Sequence, residues 1–296
     1  MADWIAVDWG TSNLRIWTMR GETVLDERRG PEGMGSLTPD DYERVLLGHI
    51  GDRLPPGRVT PVLVCGMAGA RTGWREAPYR AVPCQPAGPG AIPVPTADPR
   101  LDVRILPGLS QARPADVMRG EETQIAGFLA SRPGFDGVLC LPGTHTKWVQ
   151  ISAGEVVSFR TFMTGELFAL LSAQSVLRLS VAPEGLDPQA FREAVSDSIS
   201  RPEALASALF SLRAGQLLQG SDPVAVRSRL SGLLIGLELA GARPWWLGAQ
   251  VVIVGSPGVS QPYVQALAAQ GLNAEVVSGD SMVLSGLCAA YEGGTA

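Results

Sequence analysis

A chain of 296 residues is long enough for two domains with separate cores. With 45% apolar and 18% charged residues, its composition is that of a folded protein and not of a disordered one. A formal net charge of −5 argues against nucleic acid or an anionic membrane surface as partner, since both select clustered Lys and Arg, but leaves a small anionic substrate open.

Residues 4–8 (WIAVD) form a continuous apolar run, the pattern of a buried strand, and Gly10-Thr11-Ser12-Asn13 is a tight turn. Residues 14–19 alternate as a returning strand, and Arg20-Gly21 turns into a third at 23–28. Thr38 as N-cap, Pro39 at the first helical position and two acids after it predict a helix to about Leu54. Residues 62–67 are another apolar strand, and 77–115, rich in Pro and Gly, holds one clear strand at 103–106. The pattern then restarts: strand 137–142, the turn Gly143-Thr144-His145-Thr146, strand 147–152, the turn Ala153-Gly154, and strand 155–162. Helices are predicted at 164–178, 187–199, 202–219 and 223–241. Strand 250–254, turn Gly255-Ser256-Pro257-Gly258, helix 260–270, strand 274–277 and helix 280–292 finish the chain.

Strand, Gly/Thr turn, strand, Gly turn, strand occurs once in each half, and a repeated supersecondary unit outweighs any single local assignment. Two such halves resemble the actin/hexokinase/Hsp70 layout. The resemblance implies an α/β fold of two actin-like (ribonuclease H-like) domains around a nucleotide cleft, each with a hairpin-led mixed sheet flanked by helices. The expected domains are 1–115 on the substrate side and 116–279 on the nucleotide side, with the final helix, 280–296, free to pack back on the first.

The two turns have the chemistry of phosphate sites. Gly10 allows close backbone approach, Thr11 and Ser12 add donors, and successive turn amides form a concave anion site. Asp8 beside them suits a magnesium ion held through water. Gly143 and Thr144 offer the same from the other half, with Lys147 or His145 to balance charge. Each motif also has a plain reading, in an ordinary turn, a solvent-facing lysine or a structural histidine. Between the halves, Glu121 and Glu122 stand in the first turn of a helix, where acids suit the helix dipole or serve as a proton acceptor.

DWGTSNLR near the start, GMAGARTGWREAPY at 66–79, DVMRGEETQIAG at 116–127, LPGTHTKWV at 141–149 and GDSMVLSGL at 279–287 together resemble the bacterial 2-dehydro-3-deoxygalactonokinases. That family implies transfer of the ATP γ-phosphate to O6 of 2-dehydro-3-deoxy-D-galactonate, in galactonate breakdown. The acid pair also resembles the Gly-x-Glu-Glu-Ala element of the exopolyphosphatase branch of the superfamily, and the small residue after the pair puts Glu122 ahead of Glu121 as the catalytic base, with Asp8 the catalytic residue that holds Mg2+. Gly66, Met67, Arg71 and Trp74 would belong to the sugar-acid pocket, Arg71 binding the carboxylate and Trp74 either stacking on sugar or filling the core. Ala68 and Ala70 replace the family's frequent Ile and Ser. Gly255, Ser256 and Gly258 would lie under the adenosine.

Three alternatives remain at this level. One is an exopolyphosphatase-like phosphohydrolase, disfavoured by the acidic charge balance and the pocket-like segment 66–79. Another is a kinase of a related acid such as 2-dehydro-3-deoxygluconate. The third is an ATP-switched filament or chaperone-type protein, for which 296 residues leave little room. No apolar run reaches bilayer length, and because the first residues lead straight into a strand no signal peptide is expected. Cys65, Cys84, Cys140 and Cys288 lack metal-ligand spacing and are expected to be free, which fits a reduced cytoplasm. The expected partner is a small molecule, with neither nucleic acid nor membrane, and a homodimer is left open.

Overall fold

The computed structural model describes residues 2–295. Its contacts divide the chain into two units, the first running to Phe135 and including Ile151–Ser158 and everything from Gly279 on. The second consists of Asp136–Gln150 and Phe159–Ser278.

In the first unit, strand β1 (Trp4–Trp9) is buried on both faces because it lies inside a six-stranded sheet. It pairs antiparallel with β2 (Leu14–Arg20) and parallel with β4 (Thr60–Gly66). With β3 (Thr23–Gly30), β6 (Ile92–Val94) and β7 (Leu101–Ile105) the order is β3-β2-β1-β4-β7-β6. Side chains alternate along β1. Ile5, Val7 and Trp9 pack with Tyr42, Leu46 and Ile50 of helix α1 (Tyr42–Ile50). Trp4 and Ala6 pack on the other face with Val283, Leu287 and Ala290 of helix α9 (Gly279–Ala290). By that alternation Asp8 falls on the α9 side. Helix α2 (Glu121–Ser131) lies so close to α9 that a Cβ at Gly127 would overlap the Met282 carbonyl, and one at Gly286 the Thr123 carbonyl.

In the second unit, β10 (Gly137–Leu141), β11 (Thr146–Ser152), β12 (Glu155–Phe162), β13 (Val251–Gly255) and β14 (Glu275–Ser278) are ordered β12-β11-β10-β13-β14. The tip of the β11–β12 hairpin counts with the first unit, where Val156 donates its amide to the Cys84 carbonyl at 2.9 Å. Helix α3 spans Thr164–Ala173, α4 Pro188–Ser200, α5 Leu205–Gln219, α6 Pro223–Gly241, α7 Arg243–Trp246 and α8 Pro257–Ala268. Phe191 and Val195 of α4, Ile235 and Leu239 of α6 and Leu267 of α8 form one core with Cys140, Trp148 and Ile253 of the sheet. Gly232 and Gly236 let α6 seat against the α4 backbone.

The strand orders β3-β2-β1-β4-β7 and β12-β11-β10-β13-β14 repeat one plan, a hairpin followed by two parallel strands. This is the expected α/β fold with two actin-like units. Several local expectations are corrected. Thr38 does cap, but in a capping box with Asp41 that winds Pro39–Asp41 as a 3-10 turn, and α1 ends at Ile50, where the Gly51 amide bonds back to Leu47. Helix 164–178 breaks at Ala173, because Ser175 caps a separate 3-10 turn, Val176–Leu179. The turn Gly255–Gly258 is shorter than read, since α8 already starts at Pro257. The Pro/Gly-rich stretch carries β5 (Tyr79–Ala81), β6 and β8 (Gly108–Ala112) besides β7, and β5-β8-β9, with β9 (Ala115–Met118), is a third sheet. Since β9 pairs with β8 and α2 packs on α9, residues 116–135 stay with the first unit and do not open the second. All four cysteines are free.

Candidate active site

Asp8 stands opposite Arg15 in the β1–β2 ladder, and the two side chains form an ion pair with Arg15 Nε 3.0 Å from Asp8 Oδ2. Arg15 also bonds Asp280 in the first turn of α9, and Arg29, its β3 neighbour, reaches Asp280 at 3.3 Å. Charges therefore alternate as Asp8, Arg15, Asp280, Arg29. Burial works against Arg15's charge, but Asp8 and Asp280 outweigh it and raise its pKa. Burial likewise pushes Asp280 up, and Arg15 and Arg29 overcome it to hold the carboxyl below the usual range. The turn after Asp8 closes through Gly10 N to Asn13 O at 2.8 Å. Its carbonyls are held from behind, by Met34 N on Gly10 O and Gly35 N on Thr11 O, while Thr11 and Ser12 stay exposed.

One glycine in positive-φ backbone crowds against Asp8, and a second adjoins the first. Gly66 ends β4 at φ 85°, and a Cβ there would sit 3.3 Å from Asp8 Oδ1 and 2.7 Å from Trp9 O. Gly120, at φ 107°, precedes α2, and its Cβ would come 3.5 Å from Gly66 Cα. The end of β1, the end of β4 and the start of α2 thus converge. Glu122 is 3% exposed: Gly120 N donates to its Oε2 at 2.7 Å and Thr123 Oγ1 to its Oε1 at 3.1 Å. Burial, with Glu121's charge adding to it, pushes its pKa up to about 8. Half-buried Glu121 accepts the Arg119 amide at 3.1 Å. The Cys65 thiol lies 3.7 Å from Asp8 Oδ1 and is kept protonated by burial and then by the charges of Asp8 and Glu122.

In the second unit Gly143 and Thr144 are exposed at the β10–β11 turn. The start of α3 braces them: Glu166 N donates to Thr144 O at 2.9 Å, and a Cβ on Gly165 would overlap Gly143 O. His145 Nε2 lies 2.6 Å from Glu166 Oε2, an exposed pair that ties the turn to α3. Lys147 is 5% exposed, so it is no solvent-facing strand charge. Gly255 abuts Pro142, its Cβ position 3.4 Å from that ring, which brings turn 255–258 beside turn 142–146. A cavity of about 570 Å³ lies elsewhere in this unit, among α4, α5 and α6. The cavity beside the turns has about 420 Å³ and is lined by Gly143, Thr164, Phe168, Leu234, Gly258 and Tyr263 among others. Mostly apolar with a few polar groups, it fits a nucleoside-sized ligand.

Behind that lining sits Glu238 of α6, 1% exposed. It accepts from Trp148 Nε1 and Tyr263 OH, each at 2.8 Å, and from Thr164 Oγ1. Burial raises its pKa to about 7, against the pull of these bonds. Sequence reasoning missed Glu238, although one acid inside the apolar run LLIGLELAG was a usable signal.

The structure therefore groups Asp8, Gly10, Thr11, Ser12, Gly66 and the Glu121–Glu122 pair in the first unit. It groups Gly143, Thr144, Gly255, Ser256 and Gly258 in the second. Met67 lies in the 3-10 turn following Gly66. Arg71 is 88% exposed, 3.9 Å from Glu76. Trp74 stacks on Tyr42 at 5.7 Å and meets Trp9 edge-on, so its ring belongs largely to the α1 core. No group of three or more His, Cys, Asp or Glu side chains among the described residues could hold a metal alone. One carboxylate beside a phosphate turn, with glycine leaving room at Oδ1, fits a magnesium ion that it holds through water and whose direct ligands are phosphate and water.

The family model described as 2-keto-3-deoxy-galactonokinase matches residues 8–290. A Rhizobium meliloti protein named "Probable 2-dehydro-3-deoxygalactonokinase DgoK1" is 43% identical over 292 residues, covering 96% of this chain and 95% of its own. The Escherichia coli protein named 2-dehydro-3-deoxygalactonokinase is 34% identical, with 97% and 96% covered. A solved Sinorhizobium meliloti structure, described provisionally under the same kinase name, superposes with a TM-score of 0.91 at 42% identity over 98% of both chains. With the motifs, the repeated sheets and these end-to-end matches in agreement, the chain belongs to the 2-keto-3-deoxy-galactonokinase family.

Proposed function

We propose that this protein transfers the γ-phosphoryl group of ATP to O6 of 2-dehydro-3-deoxy-D-galactonate, giving ADP and the 6-phosphate, in the cytoplasm. Family membership across residues 8–290 carries the reading. The γ-phosphorus exchanges its bond to the ADP oxygen for one to the substrate O6, whose proton passes to a carboxylate. Asp8 would hold magnesium through water, and that ion would neutralise the phosphate charge developing in transfer. Thr11, Ser12, Gly143 and Thr144 supply small donors and open backbone for the phosphates. Gly255, Ser256 and Gly258 border the nucleoside cavity.

The geometry favours a different order within the acid pair than the sequence does. Glu122 is enclosed, both oxygens already accept hydrogen bonds, and the gap beside it holds about 10 Å³, room for no sugar acid. A proton acceptor must reach its hydroxyl. We therefore give Glu121, at the more open position, the role of base, and Glu122 that of fixing the strand-to-helix bend.

ATP consumption with and without the sugar acid tests the activity, and Glu121→Gln and Glu122→Gln test the assignment. Activity that depends on the acid is expected, with Glu121→Gln lowering kcat by about 10²-fold or more and leaving the KM for ATP in place. ATP hydrolysis indifferent to the acid would end the kinase reading. A larger kcat loss in Glu122→Gln would reverse the assignment.

A further inference from the structure

Glu238 hydrogen-bonds β11, α3 and α8, the elements that adjoin the Gly143–Thr144 turn or wall the nucleoside cavity. Trp148 and Thr146 belong to β11, directly after the Gly143–Thr144 turn. Thr164 begins α3, whose next two residues brace that turn. Tyr263 belongs to α8, which starts in the Gly255–Gly258 turn, and with Thr164 it lines the 420 Å³ cavity. We propose that Glu238 is a positioning residue for nucleotide binding, its carboxylate setting the direction of one hydrogen-bond chain that fixes the turn 143–146, the start of α3 and the wall of α8. The proposal rests on the ATP reading above and extends it.

The proton directions follow from donor chemistry. Ionised Glu238, the form that prevails above about pH 7, only accepts, so there Tyr263 donates its hydroxyl proton to it. The Tyr263 oxygen is then left as acceptor, and Thr146 Oγ1, 2.7 Å away, must donate to it. Thr164 likewise spends its proton on Glu238. The Trp148 indole can only donate, so the oxygen facing it must remain an acceptor in any variant. Glutamine at 238 therefore has to turn its amide nitrogen toward Thr164 and Tyr263. That reverses Tyr263, which then donates to Thr146 instead of accepting from it. Size and burial stay the same, while the order of the chain running to the phosphate turn is inverted. Buried networks of this kind hold one geometry only while every member is satisfied.

The test measures ATP dissociation constants by calorimetry on the whole chain at pH 8.5, where Glu238 is ionised, together with steady-state KM values for ATP and for the sugar acid. Glu238→Gln is expected to weaken ATP about ten-fold or more, as loss of an orienting partner does, with the KM for the sugar acid within about two-fold of wild type. Tyr263→Phe keeps the ring and the Trp148 and Thr164 bonds but removes the hydroxyl between Glu238 and Thr146, leaving Thr146 only its own hydrogen bond to Glu238, so a smaller loss confined to ATP is expected. It also serves if Glu238→Gln does not fold. Unchanged ATP affinity in both variants, or equal weakening of both substrates with a fallen melting temperature, overturns the proposal. A wild-type chain that binds ATP but phosphorylates no sugar acid refutes the kinase reading alone. One that binds no ATP refutes both.

Discussion

A carboxyl kept under protein at Glu122 leaves a signature in pH. Its folded pKa of about 8 lies above the 4.5 of a free glutamate, so the folded chain holds this proton where the unfolded chain has lost it. Stability from this group is complete below about pH 4.5 and is lost as pH rises toward 8, by at most about 1.4 kcal/mol per pH unit. Glutamine at 122 removes the titration. In urea unfolding at pH 5.5, 7 and 8.5, wild type should therefore lose ground steadily against Glu122→Gln. Parallel curves would mean the carboxyl is solvated. Glu238 titrates in a similar window, and taking the difference between the two proteins cancels it. Single residues were unevenly legible in the sequence. Asp8 and its turn stood out because a strand end followed by Gly, Thr and Ser is a local pattern. The burial of Glu122 was not legible, because α9, far along the chain, encloses it, and neither was that of Lys147; Glu238 was signalled only by its place inside an apolar helical run.

Among elements, the α2–α9 pair depends on two glycines chosen for contact. Gly127 and Gly286 bring the helices together until carbonyls occupy the space of a side chain. Alanine ordinarily improves a helix over glycine by up to about 1 kcal/mol. Here the added methyl meets rigid backbone, and overpacking of that kind costs about 1–3 kcal/mol or more. Gly127→Ala and Gly286→Ala should each lower the melting temperature, whereas Gly48→Ala in α1, with open space around it, should hold or raise it. If all three behave like Gly48→Ala, the helices are free to move apart. Helices and hairpins with their own period were legible at this scale, and α6 was read to the residue. β5, β6, β8 and β9 were not. Strands of three to five residues between prolines carry little period, and the partners that make β5, β8 and β9 a sheet lie up to 29 positions apart.

The first unit of the molecule is discontinuous: α9 returns to cover Trp4 and Ala6. Burial of Val283 and Leu287 contributes about 3–6 kcal/mol by side-chain transfer, comparable with a domain's whole stability. A chain ended at Ser278 should therefore keep hydrogen-exchange protection in β10 and β13 while losing it in β1 and β4. Full protection of β1 in that truncation would show that α9 is dispensable. The repeat revealed the two-unit plan from sequence, but not that α2 stays with the first unit, because the packing of α2 on α9 joins residues more than 150 positions apart.

The same return of α9 orders events on the ribosome. Synthesis passes the whole second unit before reaching Gly279, so the half made first is the half completed last. Until then the nascent first unit carries an uncovered apolar face and an Arg15 lacking Asp280, while the later half is already able to close.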